Sequence, residues 1–446
     1  MLVVGLARTG IAASLFAAGY GAAVTATDEK SESELHEAAA KLRAAEVKLE
    51  LGGHANATFL EQDLIVLSPG VPVNLAPVAL ARSRGIPVWS EIELAWRFLR
   101  GRLVAITGSN GKTTTTSLAA HILQTAAIPA LVGGNIGVPL LSVVESSTDA
   151  SVTVAEISSF QLEAIEAFRP EIGVLLNLTP DHLDRHASFE EYAAAKMRMF
   201  ENQLDRDCAV LNADDPEVTK RMPAHQQVFW FSRQKRVAAG AFLRDEQIIF
   251  RHEGLEVELA RRDQIALRGE HNVENVLAAC AAAYLAGATP AAIAGGVRTF
   301  RAVEHRLELA GEIGGVKYYN DSKATNVDAA LKAIEAFSEP LRERARLAIT
   351  IGAAAEKIAA DLGDAVETVH AGTLDRAVQI ARERARAGDV VLLAPACSSF
   401  DQFDDYEDRG RTFKELVARL EKQANAPGPE RSDADERTGN ATHSAA

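Results

Sequence analysis

Cysteine is scarce: Cys208, Cys280 and Cys397 are the only three, far apart and without CxxC spacing. That excludes a disulfide framework, offers no zinc-ligand pattern and fits a reducing compartment. Positive charge is short too. The 47 Lys and Arg are outnumbered by 61 Asp and Glu, for a formal net charge of -14, so the chain repels a phosphate backbone and nucleic acid is excluded as a partner class. Single loops can still hold phosphate, because backbone N–H groups and one or two lysines suffice. A long unbroken apolar run is also missing. The apolar opening from Met1 to Val24 has no basic stretch before it, contains Arg8, is punctuated by Gly5, Gly10, Gly19 and Gly21, and runs straight into a second strand pattern ending at Asp28. It reads as the start of a folded domain, not as a signal peptide or a span; no membrane insertion and a cytoplasmic location are expected.

What is present is a chain of 446 residues, 47% hydrophobic and 24% charged, with 31 glycines. One core seldom serves that length, so two or three domains are expected, and the glycines suggest many tight strand-to-helix turns of an α/β fold. The patterning predicts strands at 2–4, 22–27, 64–67 and 86–89 with helices at 9–18 and 32–45, a βαβ opening that ends near Glu93. A second block, 94–299, opens with a strand at 103–107 and closes with Ala-rich helices at 272–285 and 290–297. A third, 300–422, has strands at 316–319, 347–351 and 390–393 and a last helix at 411–422. Residues 423–446 lack apolar periodicity and are expected to be a disordered tail.

The segment Gly108, Ser109, Asn110, Gly111, Lys112, Thr113, Thr114 lies between an apolar strand and a helix. Glycines let the backbone approach an anion, the helix N-terminus supplies free N–H groups, Lys112 can reach the β and γ phosphates of a nucleotide, and the Thr113 hydroxyl can ligate Mg²⁺. The spacing GxxGKT is shorter than the common GxxxxGKS/T. The plain alternative is a glycine turn capping a helix. A phosphoryl-transfer site also needs carboxylate support for the metal from a neighbouring strand end. Glu156, closing the run from Val152, is placed for that. The loop Asn177 to His186 follows another apolar strand and gathers Asp181, His182, Asp184 and His186, which suggests a second metal or phosphate position.

Three stretches, GSNGKTT at 108–114, AEISSFQLE at 155–163 and NLTPDHLDRH at 177–186, resemble in order and separation the ATPase domain of the Mur ligases. The resemblance implies three domains: a Rossmann-like N-terminal domain for a UDP-linked substrate, a P-loop ATPase-like centre and a Rossmann-like C-terminal domain for an amino acid. It implies ATP and Mg²⁺ as cofactors, with Lys112, His182 and Lys196 catalytic and Thr113, Glu156, His182 and Lys196 around the metals. Lys196 falls where such ligases carry a carbamylated lysine; by its own pattern it is only a lysine on an amphipathic helix. Asn272 and Asn275 lie in a segment similar to the family's adenine-binding stretch, and Arg306, Asp321 and Lys323 would sit near the nucleotide. The pattern is most similar to the branch that adds D-glutamate. That implies UDP-N-acetylmuramoyl-L-alanine bound by Asp28, Ser68, Gly70 and Asn135, and D-glutamate bound by Thr325, Ser399 and Tyr406. A monomer is expected.

Two features depart from the family pattern. Only four residues precede Gly5, so the first strand is short. In the third domain Ser338, Glu339, Pro340 lead straight into 341–346, where the family has a strand and a Gly-rich loop with a lysine that grips D-glutamate. One interior strand, one loop and one lysine are therefore expected to be lacking, which would force neighbouring strands to re-pair or leave backbone groups unsatisfied. Three rival readings stay open. The opening Gly5, Leu6, Ala7, Arg8, Thr9, Gly10 with Asp28 is close to a dinucleotide fingerprint, although Ala7 replaces its middle glycine and the 108–114 loop would then have no use. Another amino-acid ligase, including one like folylpolyglutamate synthetase, would share the ATPase motifs. A nucleotide-binding homologue that has lost ligation would keep them too.

Overall fold

The computed structural model describes residues 1–182, 185–223, 226–267, 269–301, 304–305, 307–324, 330, 345–397, 399 and 401–424. These fall into two compact units, Met1–Glu304 and His305 onward.

The first unit opens with five parallel strands, β1 (Leu2–Val4), β2 (Thr25–Asp28), β3 (Lys48–Leu51), β4 (Ile65–Leu67) and β5 (Val88–Ser90), in the order β3-β2-β1-β4-β5. β1 and β4 are short, rich in β-branched residues and buried throughout, as strands covered on both faces must be. β1 is only three residues long yet pairs on both edges over its whole length. The strand order reverses between β1 and β4, and at such a switch point the carboxyl ends open the crevice in which doubly wound sheets hold ligands. β3 escaped the sequence reading because its KLEL sequence carries charge and none of its residues is fully buried.

The second sheet has nine strands: β6 (Arg102–Thr107), β7 (Ala130–Gly134), β8 (Val152–Glu156), β9 (Ile172–Leu175), β10 (Cys208–Asn212), β11 (Gln227–Ser232), β12 (Gly240–Arg244), β13 (Gln247–His252) and β14 (Leu255–Arg261). Their order is β14-β13-β12-β11-β10-β9-β6-β8-β7, parallel from β7 to β12 and antiparallel beyond. The helices Lys112–Thr125, Glu270–Leu285 and Pro290–Thr299 cover one face. The middle one is buried nearly all round, which its alanines permit. The other face shares a core with the first sheet, running from Val3, Leu6 and Ala13 through Ile92 and Leu94 to Leu140, Ile157 and Phe168.

The second unit contains β15 (Glu308–Ile313), β16 (Val316–Asn320), β17 (Ala348–Ile351), β18 (Thr368–Gly372) and β19 (Val390–Leu393). β15-β16-β19 form one sheet and β17-β18 another, and among the described residues no ladder joins β17 to β19. The segment in which the lacking strand is expected, with 325–329 and 331–344, lies outside the described residues, as does the tail from 425. The final helix is longer than predicted, Tyr406–Ala424, and packs Phe413, Leu416, Val417 and Leu420 on Val316 and Tyr318.

Two buried carboxylates open the short helix Glu91–Trp96. Glu93 accepts the backbone N–H groups of Glu166, Ala167 and Phe168 at 2.9, 3.0 and 2.7 Å. Glu91 accepts the Leu141 N–H at 2.6 Å, but its second oxygen is buried without a partner among the described residues. Burial pushes the Glu91 carboxyl up from 4.5 to about 7. The unfolded chain releases this proton near 4.5 and the folded one holds it to about 7, so stability falls between those values as pH rises and levels off above. The loss is about 3 kcal/mol. Glu91→Gln should therefore be more stable than the parent at pH 8 and close to it at pH 5; urea unfolding that gives the same difference at both would contradict the assignment.

Candidate active site

The turn from β6 into the helix Lys112–Thr125 places Gly111 at φ +85°, a left-handed conformation that favours glycine. A Cβ there would lie 2.2 Å from Asn275 Oδ1, so the turn also needs glycine for space. Lys112 folds back and donates to the Gly108 and Ser109 carbonyls at 2.8 Å each. Ser109 Oγ donates to the Thr179 carbonyl and meets the Tyr192 hydroxyl, both at 2.9 Å. Asn177 Oδ1 accepts the Asn110 N–H at 2.8 Å and its Nδ2 donates to the Asn110 carbonyl at 3.1 Å. The glycine loop and the loop after β9 are thus zipped together.

Glu156, at the carboxyl end of β8, is 2% exposed. One of its oxygens accepts from Thr113 Oγ1 at 2.8 Å, the other from Asn135 Nδ2 at 3.2 Å. The Asn135 backbone N–H also donates to the Glu156 carbonyl at 2.8 Å. Lys196 is 2% exposed as well, its ammonium 3.4 Å from Thr107 Oγ1 and over the Tyr192 ring. Desolvation, then repulsion from Lys112, holds it well below the usual lysine range, while Asp181 and Glu156 act the other way. Lys112, Glu156, Asp181 and Lys196 therefore form one electrostatic cluster. His182 stands at its margin, half-exposed at φ +53°, 4.9 Å from the Phe160 ring centre.

Asn275 donates to Asn272 Oδ1 at 3.0 Å and lines a pocket with Asn110, Gly111, Asn177, Phe231, His271 and Glu274, beside the glycine loop. At the first sheet's switch point, Asp28 accepts the Leu6 N–H at 2.6 Å, and Ser68 Oγ donates to the Gly5 carbonyl at 2.7 Å. Asp28 and Ser68 thus flank the glycine opening, with Gly70 two residues beyond Ser68 in the same turn. A set that sequence reasoning missed is Ser159, His186 and Glu163: Ser159 Oγ lies 3.0 Å from His186 Nε2, and His186 Nδ1 lies 3.5 Å from Glu163. It has the outline of a hydrolytic triad, but Ser159 is 2% exposed, so the set serves as a buried brace.

In the second unit, Asp321 accepts the Leu307 N–H at 3.2 Å and Lys323 lies over the Tyr406 ring. Ser399 is buried and its carbonyl accepts the N–H groups of Gln402 and Phe403 at 3.2 and 2.9 Å. Arg306 and Thr325 lie outside the described residues. Arg409, not foreseen from the sequence, is 2% exposed; it donates to Ser322 Oγ at 3.0 Å, the Ser322 carbonyl at 2.9 Å and the Cys397 carbonyl at 3.4 Å. Its signal was its place on the stripe of Phe413, Leu416, Val417 and Leu420, where an arginine is out of character. Arg409→Met should strand those carbonyls and cost about 2–4 kcal/mol in equilibrium unfolding; a loss within error of zero would show the clamp to be dispensable.

Comparison with known proteins bears on this geometry. Residues 1–90 match the model of the Mur ligase MurD-like N-terminal domain, and residues 106–283 that of the Mur ligase middle domain. The UDP-N-acetylmuramoylalanine–D-glutamate ligase of Koribacter versatilis is 51% identical over 446 residues, covering 95% of this chain and 98% of that one. That of Acidobacterium capsulatum is 51% identical over 440 residues, with coverages of 94% and 95%. Among solved structures, the MurF ligase of Thermotoga maritima in complex with ADP shares the fold at TM-score 0.58 and 16% identity, covering 90% of this chain and 95% of that one. A pseudomurein peptide ligase type C from Methanothermus fervidus does so at TM-score 0.56 and 20% identity, covering 94% and 99%. With a glycine loop, a carboxylate strand end and a buried lysine in the arrangement described, and relatives matched over nearly their whole length, the chain belongs to the Mur ligase family.

Proposed function

We propose that the protein is an ATP-dependent ligase that adds D-glutamate to UDP-N-acetylmuramoyl-L-alanine in cytoplasmic peptidoglycan precursor synthesis, acting as a monomer. The observation that carries this reading is the 51% identity, over 95% of the chain, to the D-glutamate ligase of K. versatilis. A free carboxylate is too poor an electrophile for amide formation. One oxygen of the acceptor carboxylate therefore attacks the γ-phosphorus of ATP, and ADP leaves. The amine of D-glutamate then attacks the acyl carbon, and phosphate leaves as the amide forms.

Each group on the chain has a part in this scheme. Lys112 leaves the Gly108 and Ser109 carbonyls for the nucleotide's phosphates, and the N–H groups at the start of its helix cradle them. Asn272 and Asn275 border the nucleoside end. The Thr113 hydroxyl and Glu156 carboxylate are hard oxygen donors 2.8 Å apart, a set that suits Mg²⁺. When bound there, the ion would stabilise charge on the transferring phosphoryl group. Lys196, desolvated and close to Lys112, favours the neutral amine, the form that takes up CO₂ with loss of a proton to give a carbamate. That carbamate and His182 would hold a second Mg²⁺. By the family resemblance, Asp28, Ser68, Gly70 and Asn135 take the UDP-linked acceptor, Thr325, Ser399 and Tyr406 take D-glutamate, and Arg306, Asp321 and Lys323 serve the nucleotide.

A second reading rests on the strand, loop and D-glutamate-gripping lysine that the sequence around Ser338, Glu339 and Pro340 is expected to lack: a homologue that binds nucleotide but no longer ligates. Phosphate release from ATP with the UDP-linked acceptor, with and without D-glutamate, separates the two when the amide is followed by mass spectrometry. Amide formation is expected; nucleotide binding with no amide at any D-glutamate concentration would leave the second reading standing. Glu156→Gln keeps an acceptor for Thr113 but removes the charge, and should lower ligation at least roughly 100-fold with the thermal midpoint unchanged. Full activity in that variant would remove Glu156 from the metal site.

A further inference from the structure

The two reacting groups of this enzyme would be bound on different sheets. The acceptor would lie at the switch point of the first sheet, the nucleotide on the turn after β6, and in-line transfer needs the reacting atoms roughly 3–3.5 Å apart. Some link has to fix the register between these two sites. Links through Glu91, Glu93 and Trp89 run from the β5 end of the first sheet to the residues around Leu141 and Glu166–Phe168. None of these reaches the crevice turn itself.

Arg185 does. It belongs to the loop that carries Asp181 and His182, and its guanidinium crosses to the turn after β4. One terminal nitrogen donates to the carbonyls of Pro69 and Gly70 at 3.3 and 3.0 Å, the other to the carbonyl of Val71 at 2.8 Å. The second nitrogen also meets Glu163 at 3.4 Å, and the guanidinium lies over the Phe160 ring at 4.7 Å. Three consecutive carbonyls on one guanidinium is a use of the planar fork that a lysine cannot copy. On its far side the same turn is locked to the glycine opening. Ser68 donates to the Gly5 carbonyl, and a Cβ on Gly5 would come within 2.8 Å of Val71 Cγ2. The turn therefore cannot move without moving the crevice floor.

We infer that Arg185 is a positioning residue that sets the acceptor crevice against the phosphoryl-transfer loop. The inference rests on the ligase reading. With Arg185 removed, the glycine loop keeps the hydrogen bonds described above, since none of those of Ser109, Asn110 and Lys112 to residues 108, 109, 177, 179 and 192 involves Arg185. The acceptor site loses its tether.

The test uses the full chain and steady-state kinetics of amide formation. Arg185→Ala should lose roughly 100-fold in kcat/KM for UDP-N-acetylmuramoyl-L-alanine, the scale of a displacement of about 1 Å, while KM for ATP changes less than about twofold. Arg185→Lys should recover only a small part of the loss, and millimolar guanidinium ion should raise the rate of Arg185→Ala without affecting the parent. Unchanged kcat/KM for the acceptor in Arg185→Ala would overturn the inference, as would equal losses in both substrates' constants together with a lowered thermal midpoint. If the alanine variant does not fold, Arg185→Lys decides on the same two constants. A parent that makes no amide brings down the ligase reading first, and this inference with it; an active parent with an indifferent Arg185 brings down the inference alone.

Discussion

A carboxylate at 2% exposure must be met by donors and cations or give up its charge. Glu156 is such a carboxylate, and much of the first unit is arranged around meeting it. Thr113 takes one oxygen and Asn135 the other. Those two contacts fix the start of the Lys112–Thr125 helix and the end of β7 relative to β8. Two lysines supply the counter-charge, and each is compromised in its own setting: Lys112 is kept near water on the carbonyls of its loop, while Lys196 is buried and driven toward the neutral amine. A cation placed beside Glu156 would meet the same carboxylate that Thr113 and Asn135 now hold, which suits a site for a metal-bound nucleotide.

Close backbone packing makes the cluster reachable from the first sheet. Gly111 yields space to Asn275, and Gly10 could carry no Cβ, since one would fall 1.8 Å from the Gly5 carbonyl. The opening glycines therefore look like a dinucleotide fingerprint because they solve the same steric problem, a helix pressed on a strand end at a switch point. The dinucleotide alternative was weakened in sequence by Ala7. In the structure the same crevice faces a turn tied by Arg185 to the phosphoryl-transfer loop, an arrangement that gives the glycine loop at 108–114 and the opening a common purpose.

Legibility followed local chemistry. The loop at 108–114, Glu156 and the loop at 177–186 could be read because glycine, lysine and carboxylate gathered at strand ends serve few purposes besides holding phosphate and metal. β6, β8 and β9, moreover, are apolar runs that stop where the motifs begin. β3 and the β12-β14 meander were not foreseen: their strands mix charged and apolar residues, and their existence depends on neighbours far along the chain. Lys196 shows the limit most clearly. Nothing in Tyr192, Ala193, Ala194, Ala195, Lys196 says that the lysine points inward; its burial follows from how the Phe189–Met197 helix packs, which sets the ammonium beside Thr107 and over the ring of Tyr192 one turn earlier in the same helix. Arg409 is marked in sequence only by its place on an apolar stripe, since its partners, Ser322 Oγ and the carbonyls of Ser322 and Cys397, are distant along the chain and carry no pattern of their own.

The second unit carries the groups proposed to take D-glutamate, so its packing bears on how they are held. β17 and β18 form a pair of their own and meet the rest through side chains: Asp401 accepts the Ala353 N–H at 2.7 Å, Gln402 donates to the Gly372 carbonyl at 2.7 Å, and Arg346 pairs with Asp389. The described residues proposed to meet amino acid and nucleotide, however, stand on the other piece. Asp321 and Lys323 follow β16, Ser399 follows β19, and Tyr406 begins the final helix. That piece has its own ladders and the Arg409 clamp holding Ser322 to Cys397, but its core around Tyr318, Phe413 and Val417 also takes in Leu374 and Val378 from the helix after β18 and Ile351 of β17. The groups proposed to meet amino acid and nucleotide therefore depend on both pairs of strands, through this shared core and through the Asp401 and Gln402 contacts beside Ser399.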